Sequence, residues 1–154
     1  MNDWTTLARA LRQLHHALLQ RARADYTREH GLAEEVPPGQ LLILLTQDPA
    51  FAWLRSLSEL MADIDDLQEQ PAAVHDQDLR AAIRAAVDSL LTPPADGAPA
   101  TPFGQRYRQH LHDEPAVTMA HAAVKQALQA WPAKAAGPVA ALAEHRRRIE
   151  RKPR

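Results

Sequence analysis

Large apolar side chains return every three or four residues along most of this chain, and that interval is the repeat of one helix face. Trp4, Leu7, Leu11, Leu14 and Leu18 form one such line. Trp53, Leu57, Leu60, Ile64 and Leu67 form a second, and Leu79, Ile83, Val87 and Leu90 a third. No segment alternates apolar and polar residues as a half-buried strand does. The residue choice agrees with the spacing: 30 Ala and 20 Leu stand against 6 Val and 4 Ile, and the first pair favours helix while the second favours strand. At 154 residues the chain suits one core. The expectation is an all-α fold without a sheet and with more than half its residues helical. It is a helical bundle of about four long helices with two or three short end helices. Residues 1–144 form one domain and 145–154 a basic C-terminal tail.

Breaks in the spacing set the boundaries. The first helix is expected from Asp3, as N-cap, to His30, with Gly31 as its stop. A loop over 31–39 follows, then a short helix from Gln40 to Gln47 that is apolar nearly all round and therefore expected to be buried. Asp48-Pro49 opens a helix that runs to about Gln70, before Pro71. Another spans Asp76 to Leu91, and 92–101 is the clearest loop. Thr101-Pro102 caps a short helix carrying Phe103, Tyr107 and Leu111. Pro115 opens one carrying Val117, Val124, Leu128 and Trp131. A last helix is expected from Pro138, with Val139 and Leu142 inward.

Composition removes several classes of chemistry. There is no Cys, hence no disulfide, thiolate nucleophile or iron–sulfur cluster. The N-terminus lacks the apolar run of a signal peptide, and the longest apolar run, Leu41 to Leu45, is far too short to span a membrane. Arg outnumbers Lys fifteen to three beside the Ala excess, which resembles the bias of a GC-rich bacterial genome. The expected setting is a bacterial cytoplasm. A net charge of −1 gives no global field to recruit nucleic acid.

Eight His without Cys invite a metal site. Bundle sites place ligands on facing helices, often as Glu-x-x-His, and no Glu here has His at that spacing. His110 and His112, beside Asp113 and Glu114, and His121 are the nearest to candidates; the expectation is no metal and no cofactor. His15 and His121 sit beside apolar stripes, where hydrogen-bonded boundary residues are common. Glu59, Asp63 and Asp66 could hold Mg²⁺ but are expected on a solvated face turned from the core. The five Gly are scattered, and Ser56, Ser58 and Ser89 fall mid-helix, so neither a phosphate loop nor a nucleophile elbow exists. Two basic features remain. Arg9, Arg12, His16 and Arg23 line the polar face of the first helix, where they could touch phosphates or an acidic partner. Arg146, Arg147, Arg148 and Arg151 concentrate charge in the tail, with no aromatic residue among them for stacking on single strands.

The most distinctive stretch is Asp48-Pro49-Ala50-Phe51-Ala52-Trp53-Leu54-Arg55-Ser56-Leu57-Ser58-Glu59-Leu60, followed by Ile64-Asp65. It resembles a segment of a group of uncharacterised small all-helical bacterial proteins. The resemblance implies a helical fold and carries over no activity and no catalytic residue. Phe51, Trp53 and Leu54 point three ways around one turn, so the turn should be a junction contacted from several sides. Trp53 shares the core stripe of Leu57. Phe51, about 160° away on an α-helix, is the aromatic expected to meet a short end helix or another chain. The functional expectation is a non-catalytic binding or protein-interaction module, self-associating or in a complex, without membrane or nucleic acid. The alternatives are a metal-dependent bundle enzyme using His and carboxylates, and a nucleic-acid accessory protein using the tail.

Overall fold

The first helix, α1 (Asp3–Glu29), is the longest of the described elements and packs against several of the others. In a computed structural model of the chain, residues 2–92, 101–133 and 147 are described. Asn2, rather than Asp3, caps α1: its side chain accepts the Trp4 N–H at 2.9 Å. Asp3 instead sits in the first turn, where its carboxylate takes Arg80 at 3.2 Å. Gly31 ends the helix as expected, at φ +60°. The Leu32 N–H reaches the Thr27 carbonyl at 3.0 Å and the Gly31 N–H the Arg28 carbonyl at 3.2 Å, the paired bonds of a Schellman stop. A Cβ at Gly31 meets no neighbour, so Gly31→Ala isolates backbone strain. It is expected to lower stability by roughly 1–2 kcal/mol in a urea titration, and Gly31→Asn by less.

After α1 come α2 (Pro38–Gln47), a 3-10 turn (Pro49–Leu54), α3 (Arg55–Gln68), α4 (Pro71–Val74), α5 (Gln77–Leu91), α6 (Pro102–Asp113) and α7 (Pro115–Leu128). Among the described residues there is no strand, and the fold is all-α. Five of these elements open on proline, whose fixed φ and missing N–H suit a first helical position. Pro71 thus stops α3 and starts the single turn of α4. The expected last helix from Pro138, with Val139 and Leu142, lies outside the described residues. So do the loop residues 93–100 and the tail cations Arg146, Arg148 and Arg151; Arg147 is helical and exposed.

α1 packs on α7 along one side and on α3 along the other, while α5 and α6 close the ring between α3 and α7. α1 and α7 run antiparallel: Arg80 binds both Asp3 and the Ala130 carbonyl at one end, and Arg21 meets Glu114 at the other. Trp4, Leu7, Leu11, Leu14 and Leu18 are all fully buried. Trp4 meets Trp131 edge-on at 4.9 Å and donates its indole N–H to the Val74 carbonyl at 3.2 Å, so it ties α1 to α4 and to the residues after α7.

Three further expectations fail for physical reasons. The segment after Asp48 is a 3-10 turn rather than the first turn of a long α-helix. At 3.0 residues per turn Phe51 and Leu54 eclipse, and Trp53 lies a third of a turn away. Phe51 then packs against Tyr26 of α1 at 5.6 Å and is 1% exposed, while Trp53 faces Phe103 and His110 of α6. Phe51 is therefore a core residue and presents no surface to another chain. The junction itself is real: the turn touches α1, α2, α3 and α6. Second, α2 is not buried. Its principal neighbour is the 3-10 turn, which covers one line of the helix; Leu41 is buried while Leu42 and Ile43 are 64% and 56% exposed. Third, Asp63 is buried at 8% exposure. It lies three residues after Leu60 and four before Leu67, inside the core stripe rather than opposite it, and it is not unpartnered. Glu59 is exposed and Asp66 half-buried.

Candidate functional site

α1 and α7 leave an open furrow between them. Close approach of two helices needs small side chains at the seam, and both supply alanine: Ala10, Ala17 and Ala24 on α1, and Ala116, Ala120, Ala123 and Ala127 on α7. The larger compartment, about 740 Å³, has a floor of Ala17, Ala24, Ala116, Ala120 and Ala123. Met119 stands on its rim, 74% exposed. A second compartment of about 360 Å³ continues toward Asp3 and Ala130 and shares Gln13 and Ala123 with the first. Together they follow α1 from Asp3 to Arg28, about 38 Å at 1.5 Å per residue.

The polar groups of the furrow are mostly spent on each other. Asp25 accepts Arg28 at 2.6 Å, and Arg21 Nε stands 3.2 Å from the same carboxylate, near enough for an ion pair but not aligned for a hydrogen bond. Arg21 also reaches Glu114 at 3.4 Å. Asp3 is held by Arg80. Arg9 and His16 make no ion pair or hydrogen bond among the described residues. The furrow therefore offers methyl groups, a thioether, amides, an uncommitted arginine and an imidazole, with no nucleophile beside a base.

The predicted basic face does not act as one patch. Arg9 lines the furrow. Arg12 turns the other way and pairs with Asp65 of α3 at 3.6 Å, so the basic and acidic helix faces meet here within one chain. Arg23 pairs with Glu35 at 3.7 Å and donates to the Val36 carbonyl. It ties the loop after α1 down and is a structural residue rather than a partner contact. The three His candidates are also apart. His112 is exposed. His110 is 3% exposed against Trp53, and its Nδ1 has no hydrogen-bond partner. His121 lies on α7 against Tyr107 of α6. Burial raises the Tyr107 phenol well above its ordinary range, so the hydroxyl stays protonated, and it shares a hydrogen bond with His121 Nδ1 at 2.5 Å whose direction follows the imidazole tautomer. No three His, Cys, Asp or Glu among the described residues converge for a metal. His15 Nε2 sits 3.2 Å from Ser58 Oγ, but that hydroxyl gives its proton to the Leu54 carbonyl at 3.3 Å. The roles in the His15–Ser58 contact follow the imidazole tautomer. No helix among the described residues is long and apolar enough to cross a membrane.

Three imidazoles are held below the ordinary histidine value of 6.5: His15 by burial and then by His16, His110 by burial first with Arg21 and Arg106 adding to it against Asp25 and Asp113, and His121 by burial and Lys125. Below 6.5 the unfolded chain takes up protons that the folded chain refuses, so stability rises with pH across this window and falls on acidification. The urea midpoint is expected to drop between about pH 7.5 and about pH 5, before carboxylates titrate. His110→Phe is expected to flatten that slope. A midpoint independent of pH over this range contradicts the assignment.

The furrow itself escaped the sequence reading, although its signal was present. Alanines at 116, 120, 123 and 127 repeat at the helical interval, but alanine does not distinguish a seam from a solvated face. Comparison of the chain with protein-family models, with curated proteins and with solved structures finds no match in any of the three.

Proposed function

We propose that this chain is a non-catalytic docking module that takes an amphipathic helix of a partner protein in the α1–α7 furrow. The observation that carries this reading is the furrow's shape: long, open, floored by methyl groups, with most of its charges already paired. A small-molecule site converges a few unspent polar groups on a compact hollow. A helix laid in a groove needs length, an apolar floor and polar rims. Met119 suits the role, since a flexible thioether adapts to the helix it meets.

A photo-reactive residue in place of Ala116, which is exposed in the furrow, tests this in native lysate. One in place of Ser89, exposed on α5, is the control. A discrete adduct at 116 and none at 89 is expected, with the cross-linked peptide mapping to a helix. Adducts at both positions, or at neither, count against the furrow.

A further inference from the structure

We infer that the helix taken by the furrow carries acidic residues along its flanks, an inference that rests on the docking reading above. Every carboxylate lining the furrow already has a cation: Asp3 has Arg80, Asp25 has Arg21 and Arg28, and Glu114 has Arg21. The groups left over are Arg9 and His16, together with the donors of Arg28 beyond its one bond to Asp25, on a side chain 69% exposed. The surplus charge is thus positive, with Arg9 near the start of the α1 rim and Arg28 at its end, and the His16 imidazole adds a hydrogen-bonding group between them. Complementary charge selects among apolar helices and repels the wrong ones. A glutamate-flanked helix gains a partner at each of these positions, and a lysine-flanked helix meets repulsion at Arg9 and Arg28.

The same surplus ranks the occupants this chain could itself supply. Residues 145–154 hold six cations against Glu150, the wrong sign for this rim. The exposed apolar residues of α2, Leu42 and Ile43, lie in a helix without a charged residue, so the rim has no electrostatic preference for α2 of a second copy.

The test uses the full chain and fluorescent peptides of one amphipathic design, with a constant leucine stripe and flanks of Glu, Gln or Lys, and a fourth peptide of residues 134–154. Binding is read by fluorescence anisotropy at low and high salt. The Glu peptide is expected to bind at least about tenfold tighter than the Lys peptide at low salt, with the gap closing as salt rises. Arg9→Glu combined with His16→Glu is expected to reverse that order. Ala116→Trp, which fills the furrow from an exposed position, is expected to weaken all peptides together. Equal binding of the three designs, lost in Ala116→Trp, keeps the docking reading and overturns the acidic preference. Tighter binding of the 134–154 peptide, or self-association in sedimentation that Met119→Arg abolishes, overturns it in favour of this chain's own segments. Absence of binding by every peptide overturns both readings.

Discussion

Trp4→Ala is expected to lower the unfolding free energy by about 3–5 kcal/mol, the range for emptying a large core aromatic. Trp4 is fully buried, at the point where α1, α4 and the end of α7 meet. Removing the indole deletes the edge-on packing with Trp131 at 4.9 Å and leaves the Val74 carbonyl without its donor. Trp131 also lies under the Arg80 guanidinium at 4.5 Å, and its carbonyl takes Arg84 at 2.5 Å. The loss should therefore reach the ion pair of Arg80 and Asp3. Trp4→Phe separates the contributions: it keeps most of the packing and loses the hydrogen bond, about 1 kcal/mol. Chemical denaturation of both variants checks this, and a Trp4→Ala effect no larger than that of Trp4→Phe contradicts it.

Phe51→Ala is expected to cost a comparable amount, about 3–5 kcal/mol, and to leave the sedimentation of the chain unchanged. Phe51 is as buried as Leu54 and plugs the 3-10 turn into α1 beside Tyr26. Four elements converge on that turn, so the cavity has little freedom to collapse. The 100° rotation of an α-helix places Phe51 on the far side from the core; the 120° rotation of a 3-10 turn brings it in line with Leu54. Urea titration and sedimentation together decide between these geometries. An unfolding midpoint close to wild type with a changed sedimentation coefficient restores Phe51 to the surface.

That reversal marks what the sequence could carry. Spacing of Leu and Trp in α1, α3 and α5 named most of their core residues, because burial on one face of a long helix leaves a periodic trace. Thr101 and Asp48 announced starts through their caps, Asp76 stands where its helix was expected to begin, and Gly31 announced a stop. The short elements were less legible. Within six residues a 3-10 turn and an α-helix leave the same apolar composition but rotate it differently, and that decided Phe51. α2 looked buried because it is apolar all round, yet burial depends on neighbours, and the 3-10 turn covers one side only. Asp63 looked solvated by residue type, while its place between Leu60 and Leu67 sets it in the stripe.

The candidate site was harder to read for a different reason. Arg9, Arg12 and Arg23 share the polar half of one helix in projection, but three different neighbours flank that half. Arg12 meets the acidic α3, Arg23 the loop after α1, and Arg9 the furrow beside α7. Which cation stays uncommitted is fixed by tertiary packing rather than by spacing on α1. The furrow floor is alanine, a residue equally at home in a seam and on a surface, so its stripe gained meaning only when α7 was placed antiparallel to α1.

Methyl chemical-shift mapping of the full chain, titrated with the glutamate-flanked helical peptide, tests the docking claim most directly. Shifts confined to Ala17, Ala24, Ala116, Ala120, Ala123 and Met119 are predicted, saturating with one peptide per chain. Shifts centred instead on Leu42 and Ile43 of α2, with the furrow methyls unmoved, would contradict it.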